Sequence, residues 1–421
     1  VRTIIRNTIL HGHVLNKLAE IPENSIDAIV TSPPYWGLRD YGLPPIIWDS
    51  ADLCDHKWGK IIYGKKTGRN DANSPTSTNF RGSNKGFGNK SNTKGQFCIK
   101  CHAWRGQLGL EPHYELFIQH LVTIFNACRG PLKPGGCLWV NLGDSYSAGE
   151  TLKRKTLIGI PDRFKIAMID SGWIFRNDVI WHKPDCLPSS AKDRFTNDYE
   201  RFFFFTQQPK YYFQRQFESY SESFKNDKRI QRLKDGETLD HKPWKDYSGQ
   251  KVQNPASVRD RIYKGIKKYG RNKRTTWRIT TKPFKDAHFA IFPRDLVEIP
   301  IRACVPPHIC SQCGRQWKKE PIVHGVGDIK KSRNPRINVN KGIRRAQEIT
   351  GSFIDKCTCN AQTDRGIVLD PFFGSGTVAI EAMAQEKDWV GIELNVEYIA
   401  IAQKRIEEWR KKQPATLKKY F

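Results

Sequence analysis

Apolar residues along this chain fall in short blocks bounded by glycine, proline or charged residues, and several stretches between them carry helical spacing. Asp27-Ala28-Ile29-Val30, Asp178 to Pro184, Gly366 to Leu369 and Trp389-Val390-Gly391-Ile392-Glu393 read as strands, and Leu132 to Asn141 reads as a turn leading into one. The run Arg201-Phe202-Phe203-Phe204-Phe205 has the length and composition of a strand buried on both faces, which makes its rings core rather than a ligand box. Tyr114 to Cys128 and Val378 to Gln385 read as helices.

Two long segments break this rhythm. Gly59 to Gln96 is rich in Gly, Asn, Ser and Thr and reads as a mobile loop that orders on a partner. Gln214 to Thr281 is polar, with basic runs at Lys225–Arg232 and Arg259–Arg274, interleaved with Trp244, Tyr247, Tyr263, Tyr269 and Trp277. That mixture suits phosphate clamps and base readers; a long linker is the plainer alternative, opposed by the spacing of Val258, Ile262 and Ile266. The whole chain supports a polyanionic partner, because 70 Lys or Arg face 43 acids and the formal charge is +27 over 421 residues. Nowhere is there an apolar run long enough for a membrane span, and no secretory leader is visible, so an intracellular protein without membrane contacts is expected.

Candidate chemistry gathers where two predicted strands end. After Asp27–Val30 come Thr31-Ser32-Pro33-Pro34-Tyr35-Trp36, a hydroxyl, a stiff kink and two aromatic rings expected to be exposed. Such a set is suited to holding one flat polar ring, such as a base taken out of its stack and gripped by stacking and by polar groups on its edge. Tyr35 supplies a stacking face, the Ser32 hydroxyl and Pro33 carbonyl are acceptors, and Pro33 and Pro34 keep them aimed. A Pro-rich turn with no chemistry is the bland alternative for this tetrapeptide alone. Far downstream, Leu369-Asp370-Pro371-Phe372-Phe373-Gly374-Ser375-Gly376-Thr377 runs from a strand through a glycine turn into a helix. Gly374 and Gly376 admit a ligand close to the backbone, the helix start offers free N–H groups to a carboxylate, and Glu393 ends the next strand as an acid able to grip a ribose diol.

On these two motifs the chain resembles the amino-group DNA methyltransferases that use S-adenosylmethionine, whose members carry Asp, Asn or Ser before Pro-Pro-Tyr and a donor motif of the form Asp-Pro-Phe-x-Gly-x-Gly-Thr. Further phrases at Gly109-Leu110-Glu111-Pro112, Asn141 to Tyr146 and Trp181-His182-Lys183-Pro184 extend the resemblance over most of residues 1–214 and 283–411. With the base motif first and the donor motif last, the order is that of the permuted beta group. The resemblance implies an α/β, Rossmann-like methyltransferase fold with circularly permuted motif order, a further strand at Arg2–Leu10 and a closing helix at Val396–Arg410. It gives substrate roles to Ser32, Pro33, Pro34, Tyr35 and Trp36, and cofactor roles to Asp370, Pro371, Phe372, Gly374, Gly376, Thr377, Glu393 and Asn395. Gly12-His13 stands where the family often has Gly-Asp, which leaves the adenine contact unassigned.

Ser32 followed by Trp36 resembles the branch that methylates N4 of cytosine in double-stranded DNA; N6-adenine methylation and a catalytically silent DNA-binding module on the same fold are the alternatives, with RNA methylation behind them. Carbon-5 methylation needs a thiolate in a Pro-Cys pair, which Pro184-Asp185-Cys186 does not reproduce. Asp144 and His182 are lesser candidates for the chemistry. The implied organisation is a first catalytic part at 1–214 with an insertion at 54–101, a target-recognition region at 215–282, and a second, cofactor-binding part at 283–411 with an insertion at 310–359. A cognate restriction nuclease is a candidate partner, and a prokaryotic, archaeal or phage-encoded cytoplasmic enzyme is the expected setting.

Eleven cysteines in an intracellular chain point away from disulfides and toward metal. Cys310 and Cys313 pair with Cys357 and Cys359, and Cys54 and His56 pair with Cys98 and Cys101, each half-site close enough for two side chains to reach one ion, with His102 as a competing ligand. Two structural zinc ions would staple the two insertions. Cys128, Cys137, Cys186 and Cys304 are expected as inert thiols in or near the core.

Overall fold

The computed structural model describes residues 4–38, 40–51, 53–63, 94–149, 152–219, 271–281, 292–319, 323–324, 353 and 356–413. The basic runs at 225–232 and 259–270, and the apolar spacing at Val258, Ile262 and Ile266, lie outside them, as does most of the loop at 59–96.

Eight strands form one sheet: β1 (Thr8–His11), β2 (Ile26–Thr31), β3 (Leu132–Leu142), β4 (Ile174–His182), β5 (Tyr199–Thr206), β6 (Thr276–Arg278), β7 (Ile367–Asp370) and β8 (Asp388–Glu393). Their order across the sheet is β1-β8-β7-β2-β3-β5-β4-β6, parallel throughout except that β5 runs against β3 and β4. This is the Rossmann-like methyltransferase architecture in permuted order, since the last strands in the chain, β7 and β8, lie between the first two.

Among the described residues, six helices cover the sheet: α1 (Val14–Glu20), α2 (Tyr114–Ala127), α3 (Ile160–Asp170), α4 (Arg294–Cys304), α5 (Thr377–Ala384) and α6 (Val396–Lys411). One core gathers apolar faces of α1, α2 and α3, and a second gathers those of α4, α5 and α6. Because both faces are covered, the strands need apolar residues at successive positions. The phenylalanine run divides accordingly: Phe203 and Phe205 join the first core, Phe202 and Phe204 the second. Phe204 stacks on Trp139 with ring centroids 4.4 Å apart and planes 5° from parallel.

Boundaries differ from the sequence reading in physically interpretable ways. The first strand begins at Thr8 rather than Arg2, its entry fixed by Arg6 and Asn7, which hold Asp388 at the start of β8. Strand β4 starts at Ile174, earlier than Asp178, because β5 pairs along it from there, Ile174 opposite Thr206 and Phe175 opposite Phe205. Helices α1, α3 and α4 carry weaker sequence signals, being short or interrupted, as by Pro300 inside α4. Trp277, expected among base readers, is a core residue instead; β6 pairs with β4, and the indole lies 5 % exposed, 6.0 Å from Trp139.

A four-stranded antiparallel sheet is built from Ile46–Trp48, Trp104–Gly106, Lys94–Phe97 and Ile62–Tyr63, in that order. The chain resolves into two compact units, one comprising Val1–Phe213, Thr275–Gln316 and Cys357–Phe421, the other Gln214–Arg274 and Trp317–Lys356. In the second unit, Phe217–Glu218 pairs with Arg271–Asn272 and Val323–His324, and Glu218 accepts from Arg274 at 2.6 Å and is ion-paired with Arg271 at 2.8 Å. Among the described residues no helix is long and apolar enough to cross a membrane.

Truncating a stacked core ring removes both its transfer energy and its ring contacts, so Phe204→Ala is expected to cost about 3–5 kcal/mol in urea denaturation. Phe195→Ala, at a ring 96 % exposed, should change stability by no more than about 0.5 kcal/mol. A Phe204→Ala cost below about 1 kcal/mol would contradict the two-faced burial of β5.

Candidate active site

Neighbouring parallel strands β2 and β7 end at the same edge of the sheet, and each hands its chain to one of the two motifs. The edge is locked by side chains. Thr31 Oγ1, 1 % exposed, donates to Asp370 Oδ1 at 2.6 Å, and the same oxygen accepts the Phe372 N–H at 3.1 Å. Asp27, at the other end of β2, accepts the Ile367 N–H at 2.9 Å and the Lys133 ammonium at 2.7 Å. Burial, reinforced by the nearby Glu393 charge and opposed by the Thr31 bond, pushes the Asp370 carboxyl up to about 7.

The glycine turn is shaped by backbone that few side chains tolerate. Gly374 and Gly376 adopt φ of 51° and 77°, and a side chain added at Gly374 would meet nothing closer than the Phe372 carbonyl at 3.9 Å, so the turn has open space in front of it. Glu393 closes the far side. Its Oε2 accepts the Gly374 N–H at 2.7 Å, and its Oε1 accepts the Leu394 and Asn395 N–H groups at 2.9 and 2.8 Å. An ionised carboxylate has about four acceptor positions, so one remains for a ligand hydroxyl. Pro371 and Thr377 are buried, while Phe372 is half-buried and offers a ring. Two buried polar atoms, Thr377 Oγ1 at the start of α5 and His13 Nε2 just beyond β1, have no hydrogen-bond partner among the described residues. Asn395 spends its side-chain oxygen on the Glu397 N–H as the cap of α6. Open glycine backbone, an acid with spare capacity and partnerless polar atoms are compatible with a nucleoside carrying an amino-acid tail.

At the end of β2, Pro33 is buried and Ser32, Pro34 and Tyr35 are half-buried. Ser32 Oγ donates to Tyr35 Oη at 3.4 Å, and Tyr35 Oη lies 2.7 Å from Glu200 Oε2 and 2.9 Å from Asn141 Oδ1. Glu200 in turn is ion-paired with Lys183, whose ammonium lies 4.4 Å from the Trp181 ring centroid. Burial first, and the Glu200 charge second, push the Tyr35 phenol well above its usual range. Gly143 is required by this ring: a side chain there would come within 2.6 Å of Tyr35 Cε2. Trp36 is not the exposed ring expected. It is 4 % exposed, packs edge-on against Tyr114 and donates its indole N–H to the Glu111 carbonyl at 2.9 Å, because the chain turns inward immediately after Tyr35. The Glu111 carboxylate accepts from Gly109 at 2.8 Å and pairs with fully buried His120, which also meets Asp49 and stacks on Trp48.

Lys183, Glu200, Gly143 and the Glu111–His120 pair were missed as site residues. The sequence marks them only as a lysine before a proline and an acid just ahead of the phenylalanine run; their grouping around the tetrapeptide comes from tertiary contacts. Asp144 proves to be a helix cap, accepting N–H bonds from Gly159 and Ile160 at the start of α3, and His182 pairs with Asp198 at 3.2 Å.

Both cysteine sets converge. The ligand atoms of Cys54, His56, Cys98 and Cys101 lie within 4.8 Å of one another, as do those of Cys310, Cys313, Cys357 and Cys359. Cys54 and Cys98 sulfurs stand 3.9 Å apart, close to the roughly 3.8 Å between sulfurs of a tetrahedral ion with 2.3 Å bonds. His56 turns Nδ1 toward Cys101 Sγ at 3.4 Å and its outer nitrogen to Ser50 Oγ at 3.1 Å, the arrangement of an oriented ligand. His102 is outside the group; its N–H closes the turn onto the Cys98 carbonyl at 3.0 Å. In the second set the corresponding turn is Cys310 to Gly314, where Gly314 takes φ 68°. Cys128, Cys137 and Cys304 are buried and Cys186 half-buried.

Comparison with known proteins gives a match to the DNA methylase family model over residues 26–310 and 347–404. The Type II methyltransferase M.Cfr9I of Citrobacter freundii is 28 % identical over 423 residues, covering 95 % of this chain and 87 % of its own, and M.SmaI of Serratia marcescens is 25 % identical, covering 94 % and 90 %. Among solved structures, PvuII DNA methyltransferase (cytosine-N4-specific) aligns with a TM-score of 0.46 at 15 % identity, covering 96 % of this chain and 87 % of that one. The family match takes in both motifs and most of the sheet between them, and the chain belongs to the amino-group (N4-cytosine and N6-adenine) DNA methyltransferase family.

Proposed function

We propose that the protein is a site-specific methyltransferase that moves a methyl group from S-adenosylmethionine to N4 of a cytosine flipped out of double-stranded DNA. The observation that carries this reading is the adjacency of Ser32-Pro33-Pro34-Tyr35 and the Asp370–Gly376 turn, joined by the Thr31–Asp370 bond. Ser32 in place of an acid or amide favours cytosine over adenine. The Type II relatives at near full-length coverage favour a restriction–modification setting in a prokaryotic, archaeal or phage cytoplasm, with a cognate nuclease as partner.

S-adenosylmethionine supplies an electrophilic methyl group on a sulfonium. The chain's work is to bind and orient. Gly374, Gly376 and the α5 start would receive the amino-acid end, Glu393 the ribose, and Phe372 an aromatic face, with Asp370, Pro371, Thr377 and Asn395 shaping the turn and strand ends around them. Ser32 Oγ and the Pro33 carbonyl would accept from the cytosine amino group and aim its lone pair, Pro34 fixes the kink, and Tyr35 stacks on the base. Trp36 anchors the tetrapeptide through the core rather than touching substrate. Residues 1–214 and 283–411 form the catalytic parts and 215–282 recognises the target, apart from the stretch from Thr275 that supplies strand β6 to the catalytic sheet, with the excess of positive charge meeting phosphates. Two zinc ions, at Cys54, His56, Cys98 and Cys101 and at Cys310, Cys313, Cys357 and Cys359, staple the insertions.

Incubating the purified protein with mixed-sequence duplex DNA and labelled donor, then digesting to nucleosides, is expected to give N4-methylcytosine by mass. N6-methyladenine alone would overturn the base assignment and keep the class; 5-methylcytosine would overturn the direct transfer as well. Metal analysis of protein purified without added zinc should give about two ions per chain, and Cys313→Ser should remove one of them. A ratio of zero in reduced, active protein would mean that packing alone holds the insertions.

A further inference from the structure

We infer that Ser32, Tyr35 and Glu200 form a directed proton path out of the reaction centre, with Glu200 as its terminus. The inference rests on the reading of Ser32 as the group that meets the reacting amino nitrogen. Its evidence is the polarity of the chain of hydrogen bonds: Ser32 Oγ donates to Tyr35 Oη at 3.4 Å, and Tyr35 Oη donates to Glu200 Oε2 at 2.7 Å. The path therefore ends on an acceptor that has no proton of its own to give when ionised.

Forming the N–CH3 bond as the S–CH3 bond breaks leaves the amino nitrogen with one proton too many. That proton passes to Ser32 Oγ, the Ser32 hydroxyl proton passes to Tyr35 Oη, and the Tyr35 proton passes to Glu200 Oε2. Both hydroxyls are restored, the carboxylate becomes a carboxylic acid, and no further reactant is needed. Glu200 is 8 % exposed and Lys183 2 % exposed, so the terminus is shielded from bulk water during transfer. The groups facing Glu200 are Tyr35 and the Lys183 ammonium, with Asn141 Oδ1 a second acceptor for the phenol; neighbouring Arg201 turns away to Asp178 and Asp162. Lys183 holds the carboxylate in register as a positioning residue. This gives a role to a buried ion pair that base stacking and donor binding leave unused, and explains why the stacking ring is a tyrosine rather than a phenylalanine.

The test is a double-mutant cycle in single-turnover methylation of duplex DNA at saturating donor, using Tyr35→Phe, Glu200→Gln and the two together. Tyr35→Phe keeps the ring and its fold, so it carries the test even if Glu200→Gln unfolds. Each single change is expected to slow transfer by about 10²-fold, the lower end of general-base effects, and the double variant to be no slower than the worse single one, as for groups acting in series. Dissociation constants for the donor and for DNA should stay within about twofold in Tyr35→Phe, as the same ring remains. Multiplicative losses in the double variant, or transfer within twofold of the parent in Tyr35→Phe, would overturn the path. Tyr35→Ala separates the underlying reading: if it too transfers at the parent rate, the tetrapeptide is not the base site, whereas an inactive Tyr35→Ala beside a fully active Tyr35→Phe rejects the proton path alone.

Discussion

A single buried hydrogen bond, Thr31 Oγ1 to Asp370 Oδ1, brings the two halves of the site into register. Its partners are 339 residues apart in the chain, yet they end neighbouring strands, so the loops that follow must leave the sheet side by side. Asp27 does the same at the opposite end of the pair by holding the Ile367 N–H. Strand pairing alone leaves a slip of register possible; a buried acid at each end makes any slip leave an unpaired polar group, at a cost of about 1–3 kcal/mol. The permuted order of the chain is tolerable because these contacts, rather than sequence proximity, define the edge.

Much of this was legible in the sequence because the decisive elements are local. The phenylalanine run, the glycine turn and the strand ending in Glu393 each declare themselves within a few residues, and the resemblance to a methyltransferase family orders them. What escaped depends on tertiary partners. Trp36 reads as an exposed ring beside Tyr35 until its indole is seen to reach the Glu111 carbonyl. Trp277 sits in a polar, basic stretch and reads as a base reader, but three residues of β6 pairing with β4 draw it into the core. Lys183 follows the end of β4 and Glu200 lies on β5, so they become a pair only when these strands run antiparallel. The cysteine sets are an intermediate case: spacing suggested which residues meet, and folding places their ligand atoms within 4.8 Å.

The same logic links the Ser32–Tyr35 loop to the small antiparallel sheet, in which Cys98 follows the strand Lys94–Phe97. Trp48 from that sheet stacks on His120 at 4.7 Å, His120 bonds Glu111, and Glu111 holds both Gly109 and Trp36. The tetrapeptide is thus supported from behind by a fully hydrogen-bonded buried network, which rigidifies where a partly satisfied one would loosen. Preorganisation of this kind is what a site needs when its task is to orient a weak nucleophile.

The central claim is that two adjacent but separate subsites, one for the donor and one for the base, share this edge. Isothermal titration of S-adenosylmethionine into the parent protein, Gly374→Val and Tyr35→Ala tests it most directly. The account predicts one-to-one binding by the parent, unchanged within about twofold in Tyr35→Ala, and loss of binding in Gly374→Val, where a β-branched residue is forced to a φ of 51°. Equal weakening by both substitutions, or undiminished binding by Gly374→Val, would contradict it.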